Sequence, residues 1–275
     1  MSEPIHFFVH VPKCAGTTVE RHFDRTLGEG FMIAPRWNNP LRDVLGNRAR
    51  IDPERAARVR VMSGHSLARS MRRFFPGREL RESVLLRDPV GYLLSFYNYR
   101  VSRHLDHGQP APPPFDDWLA AQRRNPISRF LLMRYFEIGY PRIYAMSSRA
   151  RFAFLDDALR GFHFVGGHKR CDEVVGTISR ELGVDDAVTP QNVGRRRVLR
   201  AEDLGEEQRA RILERNDVDA ALFARWADRG FGPGAPAGGE EEREALLESL
   251  SGADQPDYLL SDLTSLARKK LWRPF

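Results

Sequence analysis

Residues 6–23 read HFFVHVPKCAGTTVERHF. An apolar run, His6–Val11, stops at Pro12; a short loop, Lys13–Thr18, follows, and from Val19 onward the pattern is that of a helix. Strand, tight loop and helix N-terminus together make a phosphate grip. The first backbone N–H groups of a helix have no intrahelical partner, and with the positive end of the helix dipole they stabilise an anion. Gly16 lets backbone approach closely, Thr17 and Thr18 offer hydroxyls, and Cys14 and Ala15 complete the loop. Lys13 adds a full positive charge. The loop is not a Walker A sequence, in which lysine follows the glycines. It is not a cysteine phosphatase loop either, because Arg21 stands one residue too far from Cys14.

The composition sharpens the reading of Lys13. Lysine and arginine together number 43, yet lysine occurs only at 13, 169, 269 and 270. A chain that uses arginine almost everywhere and lysine here selects a compact point charge for this loop. The formal charge of +6 and the isoelectric point near 9.6 favour an anionic partner. At 275 residues, the chain has the length for one substantial core and a small appendage. Two cysteines, Cys14 and Cys171, argue against a disulfide framework. The opening MSEPIHFF lacks the basic and long apolar regions of a signal peptide, and no run reaches the ~18–20 apolar residues of a membrane span. The expectation is a cytoplasmic protein with no membrane span.

Outward from the first loop, residues 28–50 read as mostly loop, and 51–60 as a short helix capped at Asp52 with Pro53 at its first position. Val59–Ser63 is a short strand ending in SGHS, so His65 sits just past a strand end, where open α/β sheets place their chemistry. Ser83–Leu86 is the next strand. It runs into RDPVGYLLSFYNYR, where Pro89 opens a helix with Leu93, Leu94, Tyr97 and Val101 on its inner side. Arg87 ends the strand and Ser95 lies two turns into the helix. His104 and His107 flank a proline-rich loop but have no third ligand beside them, and no metal is expected. Helices are predicted over 115–122 and 128–136, with Phe130, Leu131, Met133 and Phe136 as core. Phe162–Gly166 reads as a buried strand followed by a helix carrying Val174, Val175, Ile178 and Leu182. Arg195 and Arg196 belong to an arginine run, QNVGRRRVLR, that suits an anion, and 202–228 is a helix pair. FGPGAPAGG at 231–239 reads as a flexible linker, after which 240–275 forms a helical C-terminal extension. That extension could dock on its own domain, cap a pocket or pair with a second copy as a homodimer.

These motifs resemble those of the sulfotransferases that use 3′-phosphoadenosine 5′-phosphosulfate (PAPS), in particular the carbohydrate sulfotransferases, over most of residues 5–228. HVPKCAGTTV is similar to that family's 5′-phosphosulfate loop. LLRDPVGYLLSFYNYR is similar to its 3′-phosphate motif, an arginine and a serine eight residues apart, which are Arg87 and Ser95 here. FHFVGGHKRCDEVV resembles a segment near the adenine and QNVGRRR the basic stretch after it. Two positions depart from the family pattern. Cys14 replaces a hydroxyl residue, and His168–Lys169 replaces a hydroxyl–acid pair.

The resemblance implies an α/β, P-loop-like sulfotransferase fold: a central, mostly parallel sheet flanked by helices, spanning 1–230. It implies sulfuryl transfer from PAPS to a hydroxyl or amine of a glycan or small metabolite, without a metal. Lys13 would stabilise the leaving phosphate. His65 would be the base, with His10 as its rival. Residues 13–18, Arg87, Ser95, Arg195 and Arg196 would hold the donor. Two other readings stand beside it: a P-loop-type kinase or nucleotide phosphohydrolase, which requires Mg²⁺, and a basic nucleic-acid-binding protein, for which no recognition motif appears.

Overall fold

The computed structural model of the protein describes residues 3–36, 50–110, 112–185, 187, 198–234 and 239–250. Six strands form one sheet: β1 (Ile5–Val9), β2 (Phe31–Ile33), β3 (Val61–Ser63), β4 (Leu80–Leu86), β5 (Phe164–Gly167) and β6 (Gly230–Phe231). Their spatial order is β2-β3-β1-β4-β5-β6. The first five are parallel; β6 runs antiparallel against β5. The chain is therefore an α/β protein with a mostly parallel sheet flanked by helices.

β1 sits in the middle because its sequence suits no other place. All five of its residues, IHFFV, are buried. A strand covered on both faces reads as an uninterrupted apolar run rather than as an alternation. β4 is covered on both faces too, with five consecutive buried residues from Glu82 to Leu86, although the first two are polar. Its one acid is satisfied internally: Glu82 accepts from the Tyr135 hydroxyl and from Arg69 Nη2, the latter at 2.9 Å.

Helices then cover the two faces. α1 (Gly16–Leu27) buries Val19 and Phe23, one turn apart, and packs beside α8 (Cys171–Leu182) through a His22 Nε2–Ser179 Oγ contact of 2.9 Å. α7 (Ser148–Leu159) and α10 (Asp217–Trp226) pack against each other, and α10 also packs on β5. Between them in sequence lie α2 (Pro53–Arg58), α3 (Pro89–Asp106), α4 (Phe115–Ala120), α5 (Pro126–Phe130), α6 (Tyr140–Ala145) and α9 (Glu206–Arg215). Asp52 caps α2 by accepting from Arg55 N, and Asp88 caps α3 by accepting from Gly91 N at 2.6 Å.

Several elements differ from the sequence reading. Residues 28–50, expected as loop, contain β2, whose three residues are too few to show a period. The helix expected over 128–136 is α5 followed by a π-helical turn at Leu131–Tyr135. Of its expected core stripe, Leu131 is fully buried, whereas Phe130, Met133 and Phe136 are only partly so. α6 and α7 have no counterpart in the sequence reading. The stretch read as a linker opens with Phe231, which pairs with Phe164 in the sheet.

The first part of the C-terminal extension, α11 (Gly239–Ser249), docks on its own domain through Asp156. That carboxylate is fully buried. Oδ1 accepts from Trp226 Nε1 (2.9 Å) and Arg225 Nε (3.2 Å), and Oδ2 accepts from Arg243 Nε (3.0 Å) and Arg160 Nη2 (3.3 Å). One side chain thus ties α7, α10 and α11 together. Residues 251–275 lie outside the described residues. Removing one partner from a buried ionic network leaves uncompensated charge and costs about 3–5 kcal/mol. Asp156→Ala is expected to lower unfolding free energy in urea by that amount, and an unchanged midpoint would show that the hub carries no stability.

Candidate functional site

Parallel register brings the C-terminal ends of β1, β3, β4 and β5 to one edge of the sheet. Within four residues of those ends lie Lys13, His65, Arg87 and His168. In open α/β sheets this edge, near the point where successive connections change sides, is where ligands bind. Here the change falls between β1 and β4: the chain goes from β1 to β2 and β3 on one side, then crosses to β4 on the other.

The two phosphate-type motifs meet across that crevice. Arg87 Nη1 donates to the Lys13 carbonyl oxygen at 3.0 Å. Lys13 and Ala15 both adopt left-handed backbone conformations, with φ of 65° and 64°. These two reversals fold the loop tightly at the mouth of α1. Ala15 is the N-cap residue and supplies no side-chain cap, so the helix N-terminus presents backbone donors alone. Thr18 N is turned inward to the Ala15 carbonyl. Gly16 is required by its neighbour: a Cβ there would stand 2.0 Å from the ring of His10. The loop lies directly on that imidazole.

The Lys13 ammonium stands 4.1 Å from the centroid of the Tyr99 ring, and among the described residues it is paired with no carboxylate. Burial, reinforced by the nearby Arg87, lowers its pKa from the ordinary lysine value. An anion would stabilise this partly buried ammonium. Ser95 precedes Tyr99 by one helical turn, so both lie on one face of α3, the face that meets Lys13. Tyr99 did not emerge from the sequence reading. Its signal was the i, i+4 spacing from Ser95.

Cys14 belongs to the loop through its backbone only. Its side chain is buried, and burial pushes the thiol pKa well up, so no thiolate nucleophile exists here. Arg195 and Arg196 lie outside the described residues. The segment just after them is anchored to α3: Asn98 Oδ1 accepts from Val198 N and Leu199 N at 3.0 and 3.1 Å, and Asn98 Nδ2 donates to the Leu199 carbonyl.

His65 is solvent-accessible, and its Nδ1 is 2.9 Å from the His10 carbonyl oxygen. A carbonyl only accepts, so Nδ1 carries the proton and the neutral ring keeps a lone pair on Nε2. Partial burial and then His10 lower its pKa, while the hydrogen bond to the His10 carbonyl and the charge of Glu20 oppose the shift. The His10 and His65 rings lie 4.0 Å apart. His10 is buried beneath the loop, with Nδ1 2.7 Å from Glu20 Oε1, which also accepts from Ser63 Oγ. That placement separates the two histidines: His10 supports, and His65 faces outward.

His168, beyond β5, stands near Arg87 and Asp88. Burial and then Arg87 lower its pKa to about 4. On the other flank of His65, the Phe130 ring meets it edge-on at 6.2 Å. Phe130 is also a wall of a cavity of about 200 Å³ between α3, the residues that follow α4 and the α5–π-helix segment. This cavity lies beside the two phosphate-type motifs, not between them: neither Lys13 nor Arg87 lines it. Among the described residues, no three His, Cys, Asp or Glu side chains group as metal ligands, and no helix is long and apolar enough to cross a membrane.

Comparison with known proteins adds little at this distance. No family model matches the chain, and no curated protein does. Four solved chains match, among them a sulfotransferase from Alicyclobacillus acidocaldarius. It shares 17% identity over 82% of this chain and 97% of its own, with a TM-score of 0.41.

The titration of His168 gives the site a pH signature. Its folded pKa lies below the ordinary value of 6.5, so the unfolded chain binds the proton first as pH falls. The neutral ring's contribution is complete above about pH 6.5 and is lost as pH drops toward 4, at up to about 1.4 kcal/mol per pH unit. Urea unfolding of wild type and His168→Gln over that range is expected to show the shallower slope in the variant. Parallel curves would contradict the burial of a neutral imidazole.

Proposed function

We propose that this chain is a sulfotransferase that moves the sulfuryl group of PAPS to a hydroxyl or amine of a small acceptor. One observation carries the reading: the Arg87 guanidinium bonded to the Lys13 carbonyl. That contact unites, at one crevice, a loop suited to the 5′ end of a nucleotide and an Arg–Ser pair suited to its 3′-phosphate.

The residues present fit such a donor. An uncapped helix N-terminus and Lys13 would hold the phosphate that carries the sulfuryl group, and Arg87 and Ser95 would hold the 3′-phosphate. Arg195 and Arg196 would add charge beside the stretch anchored on Asn98. When bound, PAPS supplies an activated sulfuryl group. In the transfer, the bond from sulfur to the bridging phosphate oxygen breaks and a bond from sulfur to the acceptor oxygen or nitrogen forms. His65 Nε2 takes the acceptor's proton. Lys13 and the loop N–H groups stabilise the charge left on the phosphate, so catalysis is mostly placement and electrostatics. His10 and Glu20 fix the orientation of His65. None of these roles requires a metal.

The product nucleotide, 3′,5′-adenosine bisphosphate, separates this reading from a kinase. At a hundredfold excess over its dissociation constant it is expected to stabilise the protein by about 2.7 kcal/mol, in EDTA as in Mg²⁺. Arg87→Ala is expected to abolish the shift. Stabilisation by Mg-ATP and not by the bisphosphate would replace the proposal with the kinase reading, and steeply salt-dependent binding to RNA or DNA alone would replace it with the nucleic-acid reading.

Catalytic roles divide differently. His65→Ala is expected to lower turnover by about 10²–10⁴-fold while bisphosphate affinity stays near wild type. Lys13→Ala is expected to lower turnover by about 10²–10³-fold with little loss of fold stability. Wild-type turnover in either variant would refute that residue's role.

A further inference from the structure

Of Lys13, His65, Arg87 and His168 at the strand ends, only His168 has no part in the transfer as proposed. Its place follows from the sheet. β4 and β5 are parallel and in register, with Leu86 opposite Gly167, so the next residues, Arg87 and His168, leave the sheet side by side. The 3₁₀ turn that follows, His168–Arg170, packs against β4. Arg87 is the residue proposed to hold the donor's 3′-phosphate. His168 is thus its neighbour on the flank away from Lys13, because β4 lies between β1 and β5.

The imidazole is placed but not satisfied. The ring is half-buried, yet Nδ1 is sealed from solvent and has no hydrogen-bond partner among the described residues. A buried ring nitrogen left in this way costs stability, so a group that bonds it is stabilising. Its charged neighbours are turned to other tasks. Arg87 and Asp88 face it from the start of α3, and Asp88 Oδ1 accepts from Gly91 N in the helix cap. On its own turn, Lys169 is exposed, and Arg170 donates from Nε and Nη2 to Glu173, both at 2.6 Å. Asp172, at the start of α8, is exposed. From the α10 side, Phe223 and Ala227 stand against Gly167 and carry no charge.

This cluster favours the neutral ring. Burial and then Arg87 disfavour the imidazolium, Lys169 adds to them, and Asp88 alone opposes them, which puts the pKa at about 4. A phosphate dianion on Arg87 reverses the balance. It sets negative charge and acceptor oxygens beside the ring, and an opposite charge at that range moves a pKa by about 1–3 toward the charged form. Imidazole then exchanges its proton near pH 6 instead of near pH 4.

We infer that His168 is a further ligand of the donor's 3′-phosphate and meets it as an imidazolium, so that binding takes up a proton from solvent. The inference rests on the proposed donor site. It makes His168 a specificity residue: a nucleotide that lacks the 3′-phosphate leaves the ring neutral, and one that carries it gains a charged partner that Arg87 and Ser95 do not supply.

Calorimetry of the full chain near pH 6, in two buffers of different ionisation enthalpy, counts the protons taken up with each nucleotide. The probes are 3′,5′-adenosine bisphosphate and adenosine 5′-monophosphate, which lacks only the 3′-phosphate. With the bisphosphate, wild type is expected to take up at least about 0.3 proton more than His168→Gln; with saturating monophosphate the two proteins are expected to agree. Titration of the free phosphates is common to both proteins and drops out of the difference. Equal uptake with the bisphosphate, or an equal difference with the monophosphate, would overturn the inference and leave the donor site standing. Wild type that binds no bisphosphate would overturn the donor reading and the inference with it. Histidine Cε1 NMR titration of wild type needs no variant. One of the eight histidines is expected to titrate at higher pH with the bisphosphate but not with the monophosphate, and the absence of such a signal would also overturn the inference.

Discussion

The hydrogen bond from Arg87 Nη1 to the Lys13 carbonyl oxygen joins the loops that follow β1 and β4. It exists because β1 and β4 are parallel neighbours in register from Ile5–Leu80 to Val9–Val84, so the loops that leave them start side by side. Each loop is then bent by its own local chemistry. On the β1 side, two left-handed residues and a glycine pressed on His10 turn the chain into α1. On the β4 side, Asp88 caps α3, and Pro89 fills a first-turn position where no N–H is needed. The sheet sets the distance and the caps set the angles.

Charge is distributed unevenly around that bond. The faces away from the crevice neutralise their arginines: Asp156 takes four donors, and Glu82 and Glu181 each take an arginine. Lys13, by contrast, is left on a tyrosine ring.

Much of this was legible in the sequence, and the reasons are local. β1 lies within an apolar run, the end of β4 was read as a strand from Ser83 to Leu86, Asp52–Pro53 is a capped helix start, Pro89 opens α3, and Leu93, Leu94, Tyr97 and Val101 are buried on α3 as their spacing predicts. The meeting of Lys13 with Arg87 was not derivable from spacing alone, because it depends on which strands pair across 74 positions. β2 and β6, of three and two residues, carry too little pattern to be read. The cavity was hidden for a different reason. Phe130 and Met133 have the periodicity of core residues, yet both are only partly buried and line an open space. Tyr99 likewise appears in sequence as one more aromatic in an aromatic helix.

The account stands on one claim, that Lys13 and Arg87 grip opposite ends of the same nucleotide. A crystal structure with 3′,5′-adenosine bisphosphate bound addresses it directly. The account predicts the 5′-phosphate against the amides of residues 15–17 and the Lys13 ammonium, with the 3′-phosphate on Arg87 and Ser95. A nucleotide bound elsewhere, or one that touches only one of the two motifs, would contradict it.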